Sequence, residues 1–366
     1  MKAFPGYTRG MGIGGWLTNY KRLNLIPAEK HMDVTIGDFE HFASYITRRD
    51  VEYIASLGVD HVRLGFDQLA LEEFDRPGAY RDEVFAHIER FLGWAADAGL
   101  NVILNLHKCF GNYCDIYNMS KKLLDSPEYM DRFVALWLEI ERRFHHKGRE
   151  ICFELLNELL GSRDAEWNAL WHRTVAEIRR LNPDRLIMIG GSNYNSVNGL
   201  AKLEVIGDPN VVYTFHYYEA DFTHQRLVLN RSHGYYNREM PYPCDDIERY
   251  RDAARTMRGD DSCYDGFDRI DKTFLRHRLH PALDFMAAHP DAILTCSEFG
   301  SIRSARTEWR ENYFGDIIEF FDENGIPFTI WNYLSTPYDG TRYSLVDDDN
   351  RVMVSQKIAD MLRVRP

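Results

Sequence analysis

A chain of 366 residues is too long for one small module and too short for three ordinary domains, so it predicts two domains or one large single-core α/β barrel. Hydrophobic residues at 45% and charged residues at 27% are globular averages, which excludes disorder as the main state. The net charge of −12 argues against nucleic acid or an anionic membrane as the main partner and carries no information about a substrate.

No stretch approaches the roughly 18 consecutive apolar residues of a membrane span. The opening residues lack the apolar core of a signal peptide, so a cytoplasmic location is expected, although a secreted protein stripped of its leader reads the same way. Cys109, Cys114, Cys152, Cys244, Cys263 and Cys296 form no CxxC pair, which argues against a zinc site or a disulfide scaffold. Cys152 and Cys296 lie inside apolar runs and read as small core residues.

Short apolar runs alternate with amphipathic stretches along the whole chain. The predicted strands are Met11–Trp16, Asp60–Phe66, Asn101–His107, Ile151–Leu156, Leu186–Ile189, Val211–Tyr217, Ala292–Ser297 and Phe328–Asn332. The predicted helices are Arg49–Leu57, Asp82–Ala98, Glu128–Phe144, Glu166–Leu181, Phe274–Ala287, Glu308–Glu323 and Val352–Leu362. Gly58, Gly99, Gly148 and Gly325 stand where a glycine closing a helix belongs. This alternation predicts a parallel sheet with right-handed crossovers. Eight such units, with no linker and no internal repeat, predict a single (β/α)8 TIM barrel forming one domain over residues 1–366. Two connections are long, Asn19–Tyr45 after the first strand and Glu219–Lys272 after the sixth, and both fall on the face where barrels carry their sites. Loops of this length read as lids, with a subunit contact as the plain alternative.

Functional side chains of a barrel gather at the C-terminal strand ends. Those ends hold Arg63, His107, Asn157 with Glu158, His216 with Tyr218, Glu298 and Trp331. Alternation places Cys152, Glu154, Leu156 and Glu158 on one side of the fourth strand, and Leu294, Cys296 and Glu298 on one side of the seventh. Glu154 is expected as a buried ion-pair partner of Arg63 or His61. Glu158 and Glu298 meet only if the sheet closes, and glycosidic bond cleavage needs such a pair: one carboxyl to protonate the leaving oxygen, the other to attack the anomeric carbon. Asn157 suits a hydrogen bond to a sugar 2-hydroxyl. Arg63 and Tyr218 suit holding Glu298 ionised, since a nearby cation lowers a carboxyl's pKa. His216 suits positioning Glu158, and Trp331 offers a flat face to a pyranose ring. Taken singly, a strand-end histidine or a tryptophan is ordinary core; the weight rests on eight such residues falling together.

Arg63, His107, Leu156–Glu158, His216–Tyr218, Ser297–Gly300 and Ile330–Asn332, together with the opening Arg9–Leu17, resemble glycoside hydrolase family 5, the cellulase-like retaining β-glycosidases of clan A. The resemblance spans nearly the whole chain in order. It implies double displacement on a β-linked oligo- or polysaccharide, with Glu158 as acid/base and Glu298 as nucleophile. The other six residues then line the subsite of the attacked sugar, and no cofactor or metal is expected. Leu159 departs from the pattern, standing where the family commonly has proline, and Asn105–Tyr113 is less typical than the rest.

Three rival readings are weaker. Gly10–Gly15 fits G-x-G-x-x-G, but Pro5 and Gly6 precede it and no helix cap follows, against a dinucleotide-dependent oxidoreductase. A carbohydrate-binding barrel without turnover sits poorly with two intact glutamates. Gly190-Gly-Ser192 lacks the closing glycine of a nucleophile elbow. As to mode of action, the two long connections (His233, Tyr235, Tyr236 and Arg238 in the second) predict a groove closed at one end. That leans toward a β-glucosidase or exo-type release from short β-glucans, with endo-β-1,4-glucanase or exo-β-1,3-glucanase action as alternatives.

Overall fold

The computed structural model describes residues 2–18, 34–113, 120–224, 239–335 and 342–364. Eight parallel strands close into a barrel: β1 (Arg9–Leu17), β2 (His61–Asp67), β3 (Asn101–Lys108), β4 (Ile151–Glu154), β5 (Leu186–Gly190), β6 (Val211–Tyr217), β7 (Ile293–Phe299) and β8 (Phe328–Ile330). Each pairs with the next, and β8 returns to β1 through Arg9–Phe328 and Met11–Ile330. A short antiparallel pair, Asn112–Tyr113 with Ser120–Lys121, lies outside the barrel.

The eight expected strands and the (β/α)8 architecture are all present. β4 ends two residues earlier than its apolar run, and β8 ends before Trp331. The run 274–287 is two helices, Lys272–Arg278 and His280–Ala288, with Pro281 in the first turn of the second, where its missing N–H costs nothing. The last helix starts at Gln356, where the Ser355 hydroxyl accepts from Ile358 N at 3.2 Å. Gly58, Gly99 and Gly325 are left-handed, as helix-closing glycines are; Gly148 is not, because the preceding helix has already ended at Phe144. Helices Ile36–Ser44 and Ile247–Arg258, which lie within the two long connections, escape the apolar reading. Residues 19–33 and 225–238 of those connections, with His233, Tyr235, Tyr236 and Arg238, lie outside the described residues.

Alternate residues of each strand divide two environments. Outward side chains such as Val62, Leu64, Phe66, Val102, Leu104, Leu106 and Phe153 join the helices in the main core. Inward, Ile103, Cys152, Leu186, Met188, Val212 and Ile293 fill the lower barrel, closed from below by Phe4 and Tyr7 with ring centroids 4.3 Å apart. Cys152 and Cys296 are fully buried, as expected of core residues. Above this apolar layer the interior turns polar.

The simple alternation fails at two points, both in the polar layer. Leu155 and Leu156, past the end of β4, both join the outer core, so Leu156 does not share a face with Glu154. On β7, Leu294 and Cys296 face outward, while Ser297 reaches inward to Glu154. Glu298 nevertheless faces the interior, because the β6–β7 register slips between Phe215–Cys296 and His216–Glu298, leaving one extra residue on β7. Such a bulge re-aims a side chain, here the glutamate. Among the described residues, no helix is long and apolar enough to cross a membrane.

Candidate active site

The glycines of β1 are explained by what faces them. A Cβ on Gly10 would overlap the His61 imidazole, and one on Gly14 would overlap the Trp331 indole; on Gly12 it would lie 2.8 Å from Trp331 Cε3. These residues clear the barrel for two rings, so the glycine spacing is accounted for without a dinucleotide. Trp331 lies along the resulting gap, stacked on His107 with centroids 5.2 Å apart and 7° between planes. Burial, with Arg63, Lys108 and His216 adding to it, holds the His107 imidazole well below the usual histidine range, so it is neutral.

Arg63 is the hub beneath the cleft. It is fully buried; its Nε and Nη2 donate to Glu154 at 2.5 and 3.0 Å, Nη2 to Asn157 Oδ1 at 2.6 Å, and Nη1 to Glu298 Oε1 at 2.5 Å. Burial works against the cation, but Glu154 and Glu298 outweigh it and raise the guanidinium pKa. Glu154 is thus the expected buried partner of Arg63, and Ser297 Oγ donates to its Oε1 at 3.1 Å. Glu298 receives a second donor, Tyr218, whose hydroxyl lies 2.9 Å from Oε2. Burial pushes the Tyr218 phenol well up, with Glu298, Tyr343 and Glu158 adding to the effect, so it stays protonated and able to donate.

Glu158 is reached differently. It stands four residues past the end of β4 and is partly exposed; its Oε1 lies 3.0 Å from His216 Nδ1. That nitrogen is also 3.6 Å from Glu298 Oε2, so His216 sits between the two carboxylates. One oxygen from each glutamate and a His216 ring nitrogen lie within 4.8 Å of one another. Two oxygens this close suit the short carboxyl spacing of retaining glycosidases, about 5–5.5 Å, better than the roughly 6.5–9.5 Å that leaves room for an attacking water.

Seven of the eight expected residues line one cleft of about 560 Å³: His107, Asn157, Glu158, His216, Tyr218, Glu298 and Trp331. Arg63 lies under its floor and is not among the lining side chains. The cleft also has walls that strand-end reading misses. Asn193 and Tyr194, after β5, line it and belong to a left-handed run of three that ends at Asn195; the Asn content is a turn signal, but nothing in it points to a cleft. Tyr343, also lining the cleft, packs with Tyr218 and His224, its ring centroid 5.8 and 5.5 Å from theirs. Glu219 lines the wall with Arg278, whose Nε donates to it at 3.3 Å. Burial raises the Glu219 pKa, against the pull of Arg278.

The model of the family Cellulase (glycosyl hydrolase family 5) matches residues 27–336. The chain belongs to glycosyl hydrolase family 5. Endoglucanase C of Acetivibrio thermocellus is 31% identical over 364 residues, 98% of each chain, and Endoglucanase C307 of Clostridium sp. (strain F1) is equally similar. Cellodextrinase A of Ruminococcus flavefaciens is 30% identical over 224 residues, 60% of this chain and 61% of its own. Among solved structures, endoglucanase Cel5A of Thermotoga maritima superposes with a TM-score of 0.73 at 21% identity, over 98% of this chain and 97% of that one, and shares the barrel fold. As a family 5 member the chain is a retaining O-glycosyl hydrolase of the β-glucan type, acting on β-linked glucan or oligosaccharide.

Proposed function

We propose that this family 5 hydrolase is an endo-acting β-1,4-glucanase. The observation that carries the reading is similarity over 98% of both chains to proteins named endoglucanases, within a family named for cellulase. Endo action takes precedence over the exo-type reading of the long connections because the relatives matched over 98% of both chains are named endoglucanases. Release from short oligosaccharides is the second reading, favoured by the partial similarity to Cellodextrinase A and by the aromatic wall of Tyr218, His224 and Tyr343. A cytoplasmic location, where such short substrates are met, goes with that second reading. Viscometry beside reducing-end release on carboxymethylcellulose separates them. Endo action predicts a fast viscosity drop with few new ends and little cleavage of cellobiose; steady release of ends at nearly constant viscosity would overturn it.

In the proposed mechanism Glu298 is the nucleophile and Glu158 the acid/base. Donors reach both oxygens of Glu298, the partner set of a carboxylate that works as an anion. One oxygen attacks the anomeric carbon while Glu158 gives its proton to the departing glycosidic oxygen, leaving a glycosyl ester on Glu298. Glu158, now a carboxylate, takes a proton from water as that water displaces Glu298, which restores the β-configuration. Asn157, its carbonyl oxygen engaged by Arg63, turns its amide to the cleft for the 2-hydroxyl. Trp331 and neutral His107 bound the sugar of the attacked bond, and His216 orients Glu158.

A further inference from the structure

Glu158 depends on loops other than its own. Past β4 the chain from Leu155 to Leu160 has no regular ladder, so the backbone that carries the carboxyl must find partners elsewhere. Asn112 supplies two of them. Its Nδ2 donates to the Glu158 carbonyl at 2.7 Å, and its Oδ1 accepts from Leu160 N at 3.1 Å, so the carboxamide clasps the backbone on both sides of Leu159. Backbone amides of Asn193 and Tyr194 donate to the carbonyls of Gly161 and Leu159, both at 2.9 Å.

The clasp is itself rigid. Asn112 is 1% exposed, and its backbone exchanges hydrogen bonds with Cys109 at 2.9 and 3.3 Å. The carbonyl of the preceding Gly111 accepts from Lys122 N and Leu123 N at 2.7 and 2.9 Å. Gly111 is left-handed, and a Cβ there would lie 2.6 Å from Leu123 N, so the approach requires glycine. A carboxamide carries its donor and its acceptor on separate atoms and so reaches both backbone groups; aspartate lacks the donor and leucine lacks both. Strand bonds hold the start of the segment, Leu155 N to the Met188 carbonyl at 3.0 Å and Asn157 N to that of Leu106 at 2.9 Å, whereas Asn112 holds it at Glu158 itself and at Leu160. Leu159 carries no ring to fix its φ, and a second cavity of about 280 Å³, lined by Asn112, Leu123, Leu124 and Leu159–Arg163, leaves room for the loop to move.

We propose that Asn112 is a positioning residue for proton transfer: it sets the height of the Glu158 carboxyl against the glycosidic oxygen. The inference rests on Glu158 being the acid/base, and the test separates the two. Asn112→Ala and Glu158→Ala are compared with the parent on phenyl and dinitrophenyl β-cellobiosides, reading kcat/KM. The dinitrophenyl group leaves with little proton assistance and the phenyl group needs it. For Asn112→Ala, kcat/KM should fall about 100-fold on the phenyl substrate, the scale of a misplacement of about 1 Å. On the dinitrophenyl substrate it should stay within about three-fold. Glu158→Ala should show the same dependence more steeply. Equal losses on both substrates for Asn112→Ala, with the dependence kept in Glu158→Ala, would overturn the role of Asn112 alone. Equal losses in Glu158→Ala would overturn the acid/base assignment and the inference with it. Should the alanine variant not fold, Asn112→Ser, which is uncharged and too short to reach both backbone groups, carries the same comparison.

Discussion

Glu298 and Glu158 face each other across one cleft but are held by opposite means. Glu298 belongs to a barrel strand, and a bulge in that strand, a buried arginine and a tyrosine fix its aim. Glu158 hangs on an irregular segment that borrows hydrogen bonds from the loops after β3 and β5, and its side chain is 16% exposed against 6% for Glu298. The difference matches the work proposed for each group. A nucleophile must meet one carbon at one distance, so burial and a closed set of donors serve it. An acid/base must lose a proton to one oxygen and regain it from water, so it belongs where water enters.

The sharpest way to break this comparison is to remove each carboxylate in turn. Glu298→Ala should lower hydrolysis by at least about 10⁴-fold, because no glycosyl ester forms, and azide should restore turnover as the α-glycosyl azide. Glu158→Ala should keep measurable activity on good leaving groups and give the β-glycosyl azide, since azide then attacks the ester. Proton NMR of the two products checks the assignment, and exchanged anomers would reverse the roles. The next largest effect concerns what lies beneath. Arg63→Met leaves Glu154 buried without its cation, so it should cost about 3–5 kcal/mol in chemical denaturation. Adding Glu154→Gln should recover a measurable part of that loss, since the uncompensated charge is then gone.

The same contrast explains what was legible in the sequence. Strand positions follow from apolar runs, and the strand-end residues assemble because a closed parallel barrel leaves them no other place. Simple alternation puts Glu298 with Leu294 and Cys296, yet those two face the helices and the glutamate faces the cleft. A bulge is a local register slip that periodicity cannot reveal. Asn112 and Asn193–Asn195 were not legible as part of the site. Their work is done by hydrogen bonds to backbone groups of a loop far away in the chain, and such bonds leave no mark on residue spacing.

Two smaller effects probe the far wall, where Trp331 and His107 stack. Gly14→Ala would drive a methyl into the Trp331 indole, at a cost of about 1–3 kcal/mol in stability. Because the displaced ring is the one proposed to bound the sugar, KM should rise more than kcat falls, which steady-state kinetics on cellotetraose would read. The pH dependence of stability should be smaller still. The folded state depresses the His107 pKa, so below about pH 6.5 the unfolded chain binds a proton that the folded one refuses. This contribution is zero above that pH and turns increasingly unfavourable as pH falls toward the folded value, by at most about 1.4 kcal/mol per pH unit. Urea melts between pH 7 and 5 should show a shallower decline for His107→Gln than for the parent.

The central claim is that Glu298, the strand-held and buried carboxylate, is the one that becomes covalently bonded to sugar. A dinitrophenyl β-cellobioside carrying fluorine in place of the 2-hydroxyl forms the glycosyl ester readily and loses it slowly, so the adduct accumulates. Mass spectrometry of the digested, inactivated enzyme then locates it. The account predicts one fluorinated cellobiosyl group per chain, on the peptide and at the side chain of Glu298. A label on Glu158, or inactivation without any covalent label, would contradict it.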